Sequence, residues 1–389
     1  MTGLYLCQDD PLERLLRRLG LYRDGRFRSV WHIPFVVPIL VFAGYLAPLA
    51  LSAVGGRAWG AESRLAFVWD PNFPAQTLVC MLLLLAGPLI DEHMRHAGSI
   101  FASSGLLTDA HDYESAAGAA ARLRRWVVPE VIAVALGFIF TAMWAVPVWR
   151  QGVETWQVSR TSGYFGFTPA GWWVVFVFSP LFQYLWVRWV WKVSIWVYFL
   201  ARMAGSRLRL AVGHPDHVGG LAFIGEVQVV FGILIFAMGI IIGADWLGQS
   251  MAGTEQGWRM ALEVVAFVIL APLLFLLPLT MFTKKLYLAK TEGLAQYEIL
   301  LTRFIHEVER IHLRKDQAGR SVLDETDDLA DLSQIETLYG HVSDMRIVPF
   351  DLGSLGHLMF AAAAPMVPLM SRYVPWAEAR AFIERIFGH

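Results

Sequence analysis

Long apolar stretches, each separated from the next by a polar segment, set the pattern of this chain. Seven runs are nearly free of charge, at residues 30–56, 71–90, 131–149, 161–187, 227–244, 264–283 and 352–371. A bilayer core about 30 Å thick needs roughly 20 mostly apolar residues per spanning helix, and each run reaches or nearly reaches that length. The pattern predicts an all-α fold, a polytopic transmembrane helical bundle of about seven spans with cytoplasmic helical extensions. It divides the chain into an N-terminal cytoplasmic segment (1–29), a six-helix membrane region (30–283), a cytoplasmic helical hairpin (284–350), a last membrane span (351–372) and an amphipathic tail (373–389).

Finer periodicities refine these elements. Beyond the sixth run, Leu294, Tyr297, Leu301, Phe304, Val308 and Ile311 alternate spacings of three and four, an a/d seam over about two heptads. An acidic stretch from Asp324 to Asp331 then opens a second helix, with Leu332, Ile335, Tyr339 and Val342 as its stripe. A hairpin within one chain and a seam between copies both fit this pair. In the fifth run, Gly225, Gly232 and Gly239 lie seven apart and Gly239 and Gly243 form G-x-x-x-G. Such a face lets another helix approach closely and predicts packing on protein rather than lipid. Pro272 and Pro278 predict a kink in the sixth span.

Positive charge gives the orientation. Six arginines between Arg14 and Arg28 precede the first run, and every second connection thereafter is richer in Lys and Arg than its neighbours. By the positive-inside rule the N-terminus is cytoplasmic. Trp144, Trp149, Trp172, Trp173, Trp246 and Trp258 fall at the expected outer interface, and Trp31, Trp126, Trp186, Trp189 and Trp191 at the inner one. With seven spans the C-terminus is outside. Pro365 and Pro368 leave open a re-entrant last segment, with the C-terminus inside.

Composition agrees with the pattern: 56% hydrophobic, 17% charged, mean hydropathy +0.48. The net charge of −1 offers no basic field, so nucleic acid is not an expected partner. The lipid bilayer is, and so is a second copy of the chain, as a homo-oligomer. Two cysteines, Cys7 and Cys80, make no disulfide framework. The first run is too long for a signal-peptide core and is expected to be retained.

Chemistry-bearing residues collect at the inner level. His214, Asp216 and His217, in the loop Gly213-His214-Pro215-Asp216-His217-Val218-Gly219-Gly220, are ligand types for a borderline divalent metal. So are Asp91, His93 and His96 at the inner end of the second span, and the two groups are expected to converge on a metal at the cytoplasmic face. The competing reading is a hydrogen-bonded turn and a solvated helix end. Glu130, Arg188, Lys192, Glu226, Gln228 and His357 fall near the inner ends of different spans. With Ser354 they are the expected lining of a pathway, or else polar groups that fasten helix ends. No P-loop, G-x-S-x-G, H-E-x-x-H or paired C-x-x-C is present.

The segment Leu329-Ala330-Asp331-Leu332, the run Met345-Arg346-Ile347-Val348-Pro349-Phe350 and the HPD-x-x-GG loop resemble a family of bacterial inner-membrane proteins without assigned activity. The resemblance covers most of the chain and implies a bacterial inner membrane. The layout is also similar to insect chemoreceptor channels, which implies a last span that lines a path. The expectation is a channel- or transporter-like protein that passes or senses a small ion or solute. A membrane-embedded enzyme built on the His/Asp loops and a signalling scaffold remain alternatives.

Overall fold

The computed structural model describes residues 4–7, 10–18, 33–59, 66–151, 154–161, 164–252, 257–314 and 336–367. Within them the chain is an all-α bundle. A short amphipathic helix, α1 (Pro11–Arg18), precedes α2 (Val36–Val54), α3 (Asn72–Ser103), α4 (Ala110–Arg125) and α5 (Val128–Gln151). After a two-stranded hairpin, β1 (Val158–Thr161) with β2 (Tyr164–Phe167), come α6 (Pro169–Gly205), α7 (Ala222–Met251), α8 (Trp258–Arg303) and α9 (Leu352–Met366). The helices α2, α3, α5, α6, α7 and α8 are long and apolar enough to cross a membrane. This is the architecture of a multi-pass membrane protein. The seventh expected span is α9, a shorter apolar helix of which the structure describes the part up to Val367. Met143, Leu270 and Leu274 on α5 and α8 point outward, as lipid-facing positions do.

Prolines shape the spans, and neighbours repair what they break. α2 holds a π-helical turn at Phe42–Leu46 between Pro38 and Pro48, and α6 one at Val174–Phe178 ahead of Pro180. The Trp173 indole donates to the Ala43 carbonyl inside the first turn at 2.9 Å. α8 narrows to a 3₁₀ segment at Leu277–Phe282 around Pro278. There the Phe275 carbonyl accepts from the Gln228 amide, whose oxygen accepts from Trp196 Nε1 at 2.9 Å. A polar side chain on another span thus serves a carbonyl beside the proline break. From Thr283 the helix is continuous past the end of the α8 span to Arg314, and it carries the positions of the 3,4 seam. The acidic stretch, Leu332, Ile335 and the C-terminal tail lie outside the described residues.

The bundle has two ends of different character. One gathers residues 66–72, the β hairpin and the start of α8. The other gathers the N-terminal segment, α4, the connection 205–221 and residues 336–351. An aromatic core closes the first end: Trp156 meets Phe67 edge-on at 4.8 Å and Phe73 at 4.7 Å.

Candidate functional site

Spans of alternating direction bring the starts of α3, α6 and α8 beside the ends of α5 and α7. Between them lies a cavity of about 560 Å³, within the range of small-molecule sites. Three carboxylates, Asp70, Asp245 and Glu263, line it, together with Gln76, Gln183 and the rings of Phe73, Trp144, Phe182 and Trp246. No Lys, Arg or His is among its described lining residues. Asp70 is buried and accepts hydrogen bonds from Trp156 Nε1 (3.0 Å) and the Asn72 amide (3.0 Å). Burial is the main influence and drives its pKa up; these two donors oppose it, and Asp245 adds to the rise. A site of this kind favours whatever supplies positive charge.

A second cluster sits toward the opposite end. On α6, Arg188 donates to Glu130 at the start of α5 (3.2 Å) and pairs with Asp10; Lys192 reaches the same Asp10 carboxylate at 3.0 Å. Tyr184 donates to the other Glu130 oxygen at 2.7 Å. Asp10 also caps α1 by accepting from the Glu13 amide at 2.8 Å. Burial alone would raise the Asp10 pKa, but Arg188, then Lys192 and the Glu13 amide outweigh it and hold the carboxyl at about 2. The backbone ahead of Asp10 is fastened as well. Asp91 on α3 accepts from the Leu6 (2.6 Å) and Cys7 (2.9 Å) amides, and Arg124 on α4 donates to the Tyr5 carbonyl (2.7 Å). Lys192 donates to Cys7 Sγ at 2.9 Å, and burial pushes that thiol up to about 12. The cluster is an ionic clamp that holds the N-terminal segment in the bundle. Nineteen residues separate Asn72 from Asp91 along α3, about 28 Å at 1.5 Å per residue, so clamp and cavity occupy different depths.

Of the expected pathway residues, Glu130, Arg188 and Lys192 therefore meet. Gln228 is buried in the helix-repair contact described above. Glu226 is exposed. Ser354 donates to Asp351, the N-cap of α9, through its amide (2.7 Å) and hydroxyl (2.8 Å). His357 is exposed on α9, with Nδ1 2.7 Å from the Gly353 carbonyl. None of these last four lines the cavity. Gly225, Gly232, Gly239 and Gly243 all face the segment entering and forming α9: a methyl group added at each would meet, in turn, Pro349, Leu358, Ala362 and Pro365.

The expected convergence on a metal is not what the loops do. Among the described residues, no three His, Cys, Asp or Glu side chains gather as a metal site. Asp91 is engaged with the Leu6 and Cys7 amides, His93 Nδ1 lies 2.9 Å from the Leu89 carbonyl, and His96 is exposed. In the HPD-x-x-GG loop, His214 Nδ1 pairs with Asp216 at 2.9 Å. Asp216 accepts from the amides of Val218 (2.9 Å), Gly220 (3.1 Å) and Ala222 (3.1 Å), the last being the first residue of α7. Burial opposes ionisation of Asp216, but these three amides and His214 prevail and its pKa falls. Its lone pairs are spent on backbone, because three amides converge at a helix start where negative charge is favoured. Gly219 and Gly220 take positive φ (66° and 90°), which explains the glycine pair.

Sequence reasoning missed the cavity. Its carboxylates stand singly at the ends of three different runs, and only the fold brings them together. The polarity of Gln76, Thr141 and Gln183 inside apolar runs was the available signal. Comparison with protein-family profiles, curated proteins and solved structures returned no match.

Proposed function

We propose that this chain is an integral inner-membrane protein that takes a small organic cation into the cavity between α3, α5, α6, α7 and α8, and senses or passes it. The observation that carries the reading is the lining itself: three carboxylates and four aromatic rings with no cationic side chain among them. Carboxylates supply the charge, and ring faces add attraction for ammonium groups. With the N-terminus cytoplasmic, as the arginine distribution indicates, the cavity opens toward the outside. The resemblance to bacterial inner-membrane proteins belongs to the same reading.

Calorimetric titration of the purified protein with tetramethylammonium tests it. Saturable 1:1 binding is expected, with tert-butanol, a neutral molecule of similar size, failing to compete. D245N combined with E263Q is expected to weaken binding about tenfold, about 1.4 kcal/mol. Because burial raises the Asp70 pKa, affinity is expected to fall as pH drops through that raised value. Equal binding of the neutral molecule, or no effect of the double substitution, would overturn the proposal.

A second reading has its own observation. The outward face of α9 carries His357, Phe360 and Gly356, and a methyl group on Gly356 would meet nothing. A histidine at membrane depth is costly against lipid. Copies that assemble through α9 would cover it and set a path between subunits rather than within one. Liposome flux that is abolished by crosslinking cysteines placed at position 356 would support this; a monomer in lipid would dismiss it.

A further inference from the structure

The loop between α6 and α7 turns one of its histidines away from Asp216, and a second element receives it. His217 holds a left-handed backbone, φ 55°, uncommon for a non-glycine residue. That conformation aims its ring at His341, on the helical turn at residues 336–343, with ring centroids 5.4 Å apart. Nδ1 of each ring is buried and has no hydrogen-bond partner among the described residues. Two orphaned imidazole nitrogens in one place are unusual, because buried polar atoms are otherwise paired. Two imidazoles on a single tetrahedral ion, with nitrogens about 2.0–2.1 Å from the metal, put their ring centroids on the order of 5 Å apart.

We infer that His217 and His341 bind a divalent transition-metal ion of the zinc class between the α6–α7 loop and the turn that precedes α9. Neutral imidazole suits such ions, and the two buried Nδ1 atoms are the nitrogens on offer. The site differs from the His214–Asp216–His217 set, since Asp216 is committed to backbone amides and His214 to Asp216. Its placement gives the ion a lever on the last helix. The Arg346 amide donates to the His217 carbonyl at 2.7 Å, and its guanidinium reaches the Asp216 carbonyl (3.1 Å) and Asp351 (3.5 Å), the N-cap of α9. An ion that draws His217 and His341 together fixes the base on which α9 stands.

The test is titration of chelator-treated full-length protein with Co²⁺, read by its visible absorption, and with Zn²⁺, read by calorimetry. Wild type is expected to bind one ion and to unfold at higher temperature with it. H341Q and H217N are each expected to weaken binding at least tenfold; asparagine tolerates the left-handed backbone, so the turn survives in H217N. H214N is expected to bind as wild type does, and Mg²⁺ not to compete. Absence of saturable Co²⁺ and Zn²⁺ binding in wild type would overturn the inference. So would unchanged affinity in H341Q, or loss of binding in H214N together with retention in H341Q.

Discussion

Asp10 is the residue on which the ionic clamp turns. One carboxylate caps α1 and faces two cations on α6. D10N keeps the shape and removes the charge, leaving Arg188 with Glu130 alone and Lys192 without its carboxylate. Breaking a buried pair from one side typically costs about 3–5 kcal/mol, and D10N is expected to lose stability of that order in detergent unfolding. The pH dependence follows in sign. Asp10 is held at about 2 in the folded protein, below its ordinary 3.8. Its contribution is therefore complete above about pH 4 and lost as pH falls toward 2, a loss that D10N is expected not to show. Arg188, Lys192 and Glu130 were legible in the sequence because charges at the ends of apolar runs are conspicuous. Asp10 and Cys7 were not: in a polar N-terminal stretch nothing marks a residue whose partner lies 178 positions away.

Among the elements, α7 and α9 show how far a pattern can be read. Glycines at heptad spacing announced a close approach, and the methyl group each lacks shows what it faces. A Cβ at Gly225 would stand 2.5 Å from the Pro349 carbonyl, at Gly239 3.0 Å from that of Ala362, and at Gly243 3.4 Å from that of Pro365. Destabilisation is therefore expected in the order G225A, G239A, G243A. The first should reach about 1–3 kcal/mol, as overpacking does, and the last should be nearly neutral in thermal unfolding. The β hairpin was not legible. Its strands have four residues each; β2 fell inside the apolar run at 161–187 that continues into α6, and all of β1 but Thr161 in the polar connection before it. The role of Gln228 was equally hidden. A polar side chain near a helix end reads as a vestibule until the Pro278 break, on another span, reveals the carbonyl it serves.

For the whole molecule, hydropathy was decisive: residues that leave water for a bilayer declare themselves in composition before any contact is known. The six long spans follow from it. The cavity does not, because it arises from helices side by side. Sidedness is an independent matter, and cysteine labelling in intact cells checks it. A cysteine placed in the 151–168 connection is expected to react with an impermeant reagent added outside, and one at residues 318–324 is expected not to. The reverse result would turn the cavity toward the cytoplasm.

The N-terminal clamp also bears on how the protein is made. Asp10 and Arg188 are 178 residues apart, and ribosomes add about 5–20 residues per second. The segment at residues 4–10 therefore waits roughly 10–35 s after its own synthesis before α6 exists to receive it. During that interval the sequence of three spans, α2, α3 and α5, is made, and with α3 comes Asp91, which accepts from the Leu6 and Cys7 amides. Capture of Asp10 by Arg188 and Lys192 is a late, long-range closure. Its two partners lie on the fourth span, so the contact ties the start of the chain to a helix made three spans later.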